Sequence, residues 1–211
     1  MKNIYLPDFG NNDTIKIESM LSDIGVITLG DYPKDNTFED FENKFDEIAN
    51  GDKVNLICNS MGCNYGVILS AIRTSQINKL VLMSPRVFKP TLKEQVSTIL
   101  YSIDCNTFIS KEKERKTLAD TTNYIKMSNS SRELSFKYLK QKFDIKSLII
   151  YGKGDISVSK IGVYKLSTSY DSRIIDYPTT CKDIFSSVYG NDAAQAIEDF
   201  INDIPKKRIK I

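Results

Sequence analysis

The sequence predicts an α/β fold with a parallel sheet of about six strands and helices on both faces. Two observations lead to this prediction. Short apolar runs recur along the 211 residues, and helix-length segments separate them. The apolar runs are continuous rather than alternating, which is typical of strands buried on both faces, as in a parallel sheet. The length is compatible with a single domain, which we place at residues 1–211.

Six apolar runs, each bounded by turn residues, are the predicted strands. They are rich in Ile, Val and Leu, and each is short enough for one crossing of a sheet. The runs are NIYL (3–6), GVITL (25–29), VNLIC (54–58), KLVLMS (79–84), SLIIYG (147–152) and RIIDY (173–177).

Helix patterns lie between these strands. Within residues 37–50, Phe38, Phe41, Phe45 and Ile48 recur at intervals of three and four residues, which places them on one helix face. The alternation of strand and helix favours right-handed crossover connections. The other predicted helices cover residues 13–25, 62–75, 158–169 and 192–203.

The alternation is interrupted once, between the strand that ends at Ser84 and the strand that begins at Ser147. This interval is too long for a single crossover and contains helical stretches at 91–103 and 131–143. We predict that residues 86–146 form a helical cap, inserted over one end of the sheet. Its apolar side chains are expected to form the core of the cap or to line an apolar pocket. They include Ile99, Leu100, Phe108, Leu118 and Ile125.

Charge and cysteine usage argue against several functional classes. Lys and Arg total 29 against 27 Asp and Glu, and the two signs are interleaved, so the net charge of +2 does not indicate nucleic-acid binding. We interpret the basic tail at 205–211 as a solvated terminus. The four cysteines lack Cys-x-x-Cys spacing and the chain has no histidine, so we predict neither a metal site nor a cofactor.

The sequence also predicts a cellular location. The apolar run in MKNIYLPDFG (1–10) is too short for a signal peptide. No uninterrupted apolar stretch has the length of roughly 18 residues that a membrane-spanning helix needs. We therefore expect a cytoplasmic protein with reduced thiols and without stable membrane insertion.

The stretch LICNSMGCNYG (56–66) indicates a buried strand, a turn of small residues and a helix. Ser60 lies at the turn, and the small residues Cys58 and Gly62 lie two positions away on either side. This is the pattern of a nucleophile elbow, in which a sharp turn pushes the serine toward strained dihedrals while small neighbours let strand and helix pack closely. The alternative is that Ser60 is a small polar residue that caps the helix.

The NSMGC segment (59–63) resembles the elbow of the α/β-hydrolase family, in particular of its small esterase and lipase-like members. Apart from the cap, the resemblance spans residues 2–204. Four further segments are similar to parts of that family. IYLPDFGNN (4–12) is similar to the first strand and oxyanion loop, GDYPKDNTFEDF (30–41) to the loop after the next strand, LIIYGKGDISVS (148–159) to the segment of the catalytic acid, and AAQAIEDFIND (193–203) to the last helix.

The resemblance implies acyl transfer on an acyl or ester ligand, with Ser60 as nucleophile and Asp155 as the orienting acid. It also implies an oxyanion hole formed by the backbone N–H groups of Met61 and Phe9. Asp155 has a second interpretation, as a cap or turn residue in GKGDIS. Asp8 is interpreted as a loop residue satisfied by water or backbone.

The catalytic histidine of the family has no counterpart, because this chain contains none. The alignment of the flanking segments puts its position at Cys181 or Lys182. Either Lys182 is a substitute base with a lowered pKa, or water or a partner chain activates Ser60. The predicted function is therefore a serine esterase or thioesterase-like acyl hydrolase with an incomplete triad. The alternative is an inactive pseudo-hydrolase that binds an acyl ligand or a protein partner.

Overall fold

The structure, a computed structural model, describes residues 1–8, 14–29, 38–104, 118–180 and 183–205. Six strands, named β1 to β6 in chain order, form one sheet. They are Lys2–Leu6, Ile27–Thr28, Val54–Asn59, Ile77–Met83, Lys146–Gly152 and Asp171–Tyr177. All neighbouring strands are parallel, in the spatial order β2, β1, β3, β4, β5, β6. The predicted sheet of six parallel strands is confirmed.

Helices cover both faces of this sheet, as predicted. The helices α2, α3 and α6 contribute to one apolar core, and α1 and α7 contribute to the core on the opposite face. In chain order, α1 to α7 are Thr14–Met20, Phe38–Ala49, Gly62–Ile72, Leu92–Asp104, Leu118–Tyr138, Lys160–Ser169 and Gly190–Ile201, and a short 3-10 helix spans Ile184–Ser186.

Two predicted elements are shorter than expected. The second strand was predicted at 25–29 but covers only Ile27–Thr28, because it lies at the edge of the sheet and pairs with β1 alone. The first helix was predicted to reach Gly25 but ends at Met20. Gly25 has a left-handed backbone with φ of 57°, which is typical of a residue that reverses the chain after a helix.

The helix α3 packs closely on β3, the strand that precedes it. A Cβ atom on Gly66 would overlap the Sγ of Cys58. The helix can approach the strand this closely because glycine has no side chain. The elbow pattern predicts this close approach at Gly62, whereas the contact with Cys58 is made one turn later, at Gly66. On its other side, α3 is supported by α2, where the ring of Phe41 packs at a tilt of 44° against that of Tyr65 with centroids 4.8 Å apart. These contacts set the position of the turn between β3 and α3.

The helices α4 and α5 lie between β4 and β5, in the segment predicted to be a cap. The helix α5 packs on α3, where Nδ2 of Asn64 donates a hydrogen bond of 2.9 Å to Oγ of Ser131. Whether residues 86–146 act as a cap over the sheet stays a prediction. No helix within the described ranges is long and apolar enough to cross a membrane.

The apolar residues assigned to this segment do not have the expected burial. Ile99, Leu100 and Ile125 were expected to lie in the core of the cap or in a pocket, yet they are 46%, 57% and 52% exposed. Phe108 lies outside the described residues, as does the side chain of Leu118. The prediction of a buried cap core is wrong for these three side chains. For Ile99 and Leu100 the reason is that the inward face of α4 is polar, whereas Ile125 lies on α5.

We expect Gly66→Ala to destabilise the protein by about 1 to 3 kcal/mol, because the added methyl group overlaps the sulfur of Cys58. In a Cys58→Ala background the overlap is gone, and the helix propensity of alanine should make the same change neutral or stabilising by up to about 1 kcal/mol. Urea unfolding of the two single variants and the double variant measures this coupling. An equal cost of Gly66→Ala in both backgrounds would contradict the packing described here.

Candidate active site

Ser60 lies at the turn between β3 and α3, as the elbow pattern predicts. Its backbone N–H donates to the carbonyl of Met83 at 2.8 Å and so extends the pairing of β3 with β4 by one residue. Its φ is 52°, in the left-handed region that a serine rarely adopts. The chain then enters α3 at Gly62. A strained serine on a strand-to-helix turn is the local geometry of a nucleophile elbow.

The side chain of Ser60 is buried, with 2% of its surface exposed. Its Oγ has no hydrogen-bond partner among the described residues. A general base has to lie within about 2.6 to 3.2 Å of the hydroxyl it activates. No histidine exists in the chain to supply that base. In the described part of the structure, Ser60 is therefore a buried hydroxyl without an activating group.

Met61 follows Ser60 and is the N-cap residue of α3. Its own side chain makes no capping hydrogen bond. Its backbone N–H donates to Oδ1 of Asp8 at 3.3 Å. Asp8 follows the end of β1, which is the neighbour of β3 in the sheet, so the parallel topology brings the two residues together. A carboxylate at a helix N-terminus is stabilised by the helix dipole. The N–H group assigned to the oxyanion is thus bonded to an acidic side chain of the protein itself.

Asp155, the candidate orienting acid, lies in the loop after β5 and is 2% exposed. Its Oδ1 accepts hydrogen bonds from the backbone N–H of Ser157 at 2.8 Å and from the hydroxyl of Ser157 at 2.6 Å. This is the arrangement of an Asx turn, the second interpretation that the sequence allows. This turn engages only Oδ1 of the carboxylate, and the role of Asp155 as orienting acid stays a prediction.

Ser84 is a second serine with unusual geometry, and the sequence analysis did not single it out. It follows β4, has a φ of 44°, and donates its backbone N–H to the carbonyl of Ile150 at 2.7 Å. Its side chain is fully buried, and its Oγ has no hydrogen-bond partner among the residues described. The sequence signal that was available is its position, because Ser84 directly follows β4 as Ser60 directly follows β3, and the two strands are neighbours in the sheet.

The thiol of Cys63, which follows the elbow on α3, is unsuited to act as a nucleophile. Cys63 is fully buried, and its single S–H lies within hydrogen-bond reach of two carbonyls, those of Cys58 and Met83, each 3.3 Å from the Sγ. Burial raises the pKa of the Cys63 thiol well above its usual value, which disfavours the reactive thiolate. Within the described ranges, no group of three or more His, Cys, Asp or Glu side chains could hold a metal ion.

Three of the residues that the sequence assigned to the site cannot be placed. Phe9, the second candidate oxyanion donor, lies outside the described residues. The same holds for Cys181 and Lys182, the two candidates for the histidine position. Their roles stay predictions. Of the assigned residues that the structure does describe, Ser60 and Met61 are adjacent at the elbow, and Asp155 lies after β5, two strands away from β3.

Solved structures with the same architecture align with nearly the whole chain. A monoacylglycerol lipase from Paleococcus ferrophilus aligns with a TM-score of 0.70 at 17% identity, over 96% of this chain and 94% of its own. A structure of LipS and LipT, two metagenome-derived lipolytic enzymes, gives a TM-score of 0.70 at 12% identity, over 96% and 93%. Alpha/beta hydrolase domain-containing protein 10 from mouse gives 0.62 at 11% identity, over 97% and 90%.

These alignments agree with the parallel sheet. The chain has the α/β-hydrolase fold. No protein-family model and no curated protein matches the sequence. At identities of 11% to 17% the structural similarity establishes the fold. What this α/β-hydrolase-fold protein does has to be argued from its own site.

We expect Asp8→Ala to destabilise the protein by about 1 kcal/mol, because the N-terminus of α3 loses both an acceptor and a negative charge. Asp8→Asn keeps an acceptor oxygen and should cost roughly half as much. Asp144→Ala, which removes an exposed carboxylate, is the matched control and should change the free energy of unfolding by at most about 0.5 kcal/mol. Chemical denaturation provides the comparison. If Asp8→Ala unfolded like the control, Asp8 would have no capping role.

Proposed function

We propose that this protein is a pseudo-hydrolase, which binds a neutral acyl or ester ligand without cleaving it. The observation that supports this most directly is the hydrogen bond from the Met61 N–H to the Asp8 carboxylate. In acyl transfer, that N–H stabilises the negative oxygen of the tetrahedral intermediate, and loss of one such donor slows known enzymes by about 10² to 10³-fold. Here a developing oxyanion would have to displace a carboxylate, or lie beside it.

The surroundings of Ser60 support the same conclusion. Its hydroxyl is buried and has no partner among the described residues, and the chain has no histidine. Serine is a weak nucleophile until a base takes its proton. Removal of triad members from known serine proteases leaves only about 10³ to 10⁴-fold catalysis over water, which depends on a working oxyanion hole. With the Met61 N–H engaged by Asp8, even that residual contribution is reduced.

A ligand site at this edge of the sheet is supported by the two strained serines. Ser60 and Ser84 follow the adjacent strands β3 and β4, and each has a buried hydroxyl with no partner in the described part of the chain. In open α/β sheets, ligands bind beyond the carboxyl ends of the strands. The Asp8 carboxylate at the elbow repels an anionic ligand, so a neutral acyl or ester group suits the site better than a free acid. Binding of a protein partner stays a prediction.

A second candidate function is a serine hydrolase that uses Lys182 as its base. The backbone of Ser60 favours it, because a left-handed serine costs roughly 1 kcal/mol or more, and strain of this kind is typical of active sites. Lys182 itself lies outside the described residues. The two candidates differ in one property that can be measured directly, namely the reactivity of Ser60.

Labelling with a fluorophosphonate probe, followed by intact-mass measurement, tests the proposal. We expect no stoichiometric labelling of the wild type over several hours, while a known serine hydrolase treated in parallel is fully labelled. Stoichiometric labelling that is lost in Ser60→Ala would overturn the pseudo-hydrolase proposal in favour of a hydrolase. If labelling were lost in Lys182→Met as well, the lysine would be identified as the base.

The charge at the elbow predicts which ligands the site accepts. A methyl ester of a medium-chain fatty acid should bind at least about tenfold more tightly than the carboxylate of the same chain length, because only the latter is repelled by Asp8. Asp8→Asn should reduce that difference. Calorimetric titration of the wild type and of this variant with both compounds gives the two affinity ratios. Equal affinity of the wild type for ester and acid would contradict a role of Asp8 in selection.

A further inference from the structure

The helix α4 is inverted with respect to its expected orientation. Its apolar residues Leu92, Val96, Ile99 and Leu100 recur at intervals of four, three and one, and they lie along one stripe of the helix. These side chains are 80%, 57%, 46% and 57% exposed. We call them the α4 stripe. Single exposed apolar residues are ordinary, but a continuous exposed stripe on one helix marks an interaction surface.

The opposite face of α4 is polar, and it is this face that contacts the rest of the protein. Thr98 is 2% exposed. Glu94 accepts hydrogen bonds from the Ser159 hydroxyl at 2.9 Å and from the backbone N–H of Ile161 at 3.0 Å, both at the start of α6. It also accepts from the backbone N–H of Thr91 at 2.9 Å, which completes a capping box at the start of α4.

These contacts fix the rotation of α4 about its axis. Burial alone would raise the pKa of Glu94, but the hydrogen bonds from Thr91, Ile161 and Ser159 outweigh it and lower the pKa to about 2. The carboxylate is therefore ionised throughout the physiological range, and its bonds to α6 persist. Because Glu94 faces the protein, the α4 stripe on the other side of the helix faces solvent.

The segment that contains α4 is strongly basic, although the whole chain is nearly neutral. Residues 86–146 contain 13 Lys and Arg against 7 Asp and Glu, a net charge of +6, whereas the rest of the chain carries −4. Lys93, beside the stripe on α4, and Lys89, just before the helix, are both exposed. A surface that is complementary to the α4 stripe and these two lysines has to combine negative charge with an apolar layer.

We propose that the α4 stripe docks on the surface of an anionic lipid bilayer. An amphipathic helix with a lysine at the edge of its apolar face lies in the plane of such a surface, with the apolar side chains below the headgroups and the cations among them. The 13 residues of α4 are too few to span a bilayer but are sufficient for interfacial binding. A second copy of the chain is a poorer occupant, because it would bring two segments of charge +6 together. This inference does not depend on the proposed function of Ser60.

Co-sedimentation with vesicles tests the docking. The wild type should bind vesicles of mixed phosphatidylglycerol and phosphatidylcholine. Its affinity for vesicles of phosphatidylcholine alone should be at least about tenfold lower. The double variant Val96→Asn with Leu100→Asn should lose at least about tenfold in binding to the mixed vesicles. Ser97→Asn, an exposed position of α4 next to the stripe, is the matched control and should bind like the wild type. Lys89→Gln with Lys93→Gln should also weaken binding, by about tenfold.

Since the substituted side chains face solvent, the variants should keep the circular dichroism spectrum and the thermal transition of the wild type. Failure of the wild type to bind the mixed vesicles would overturn the proposal. So would equal binding of the stripe variant and the wild type. A wild-type dimer in sedimentation velocity that the stripe variant cannot form, without vesicle binding, would assign the stripe to a second copy and overturn it as well.

Discussion

The turn between β3 and α3 is the constraint on which the candidate site depends. It holds Ser60 at a φ of 52°, and this conformation persists because the surrounding packing determines it. Gly66 lets α3 approach Cys58 on β3, and the Ser60 N–H continues the pairing with β4. The same turn points the first N–H groups of α3 at the carboxyl edge of the sheet. A ligand, an oxyanion or a side chain can satisfy those groups, and here Asp8 bonds one of them.

The fold could be predicted because each of its elements has a local signature. The spacing of Phe38, Phe41 and Phe45 predicts α2, and the continuous apolar runs predict the central strands. The edge of the sheet was less predictable, since β2 keeps only two residues and Ile27 is 45% exposed. Periodicity also failed for α4, where the spacing shows an amphipathic helix but not which face is inward. The inward face is set by the hydrogen bond between Glu94 and Ser159, which are 65 residues apart in the sequence.

The candidate site likewise has one part that the sequence predicts and another that it does not. Ser60 could be predicted because its signature, a small residue on each side of a serine between a strand and a helix, lies within a few positions in the sequence. The contact between Asp8 and Met61 joins residues 53 positions apart and exists only because β1 is the neighbour of β3. No local pattern contains it.

Two features that support the proposed pseudo-hydrolase are independent of each other. Among the described residues no group accepts the proton of Ser60, and the Asp8 carboxylate opposes negative charge on a reacting oxygen. A base introduced near Ser60 would correct only the first. The electrostatic field at the start of α3, which favours an oxyanion in an enzyme, favours Asp8 here. Because Asp8 belongs to the same chain, it competes for the Met61 N–H at a high effective concentration, which does not change with the concentration of ligand. The proposed pseudo-hydrolase therefore rests on two separate features of the site, the surroundings of the Ser60 hydroxyl and the carboxylate at the start of α3.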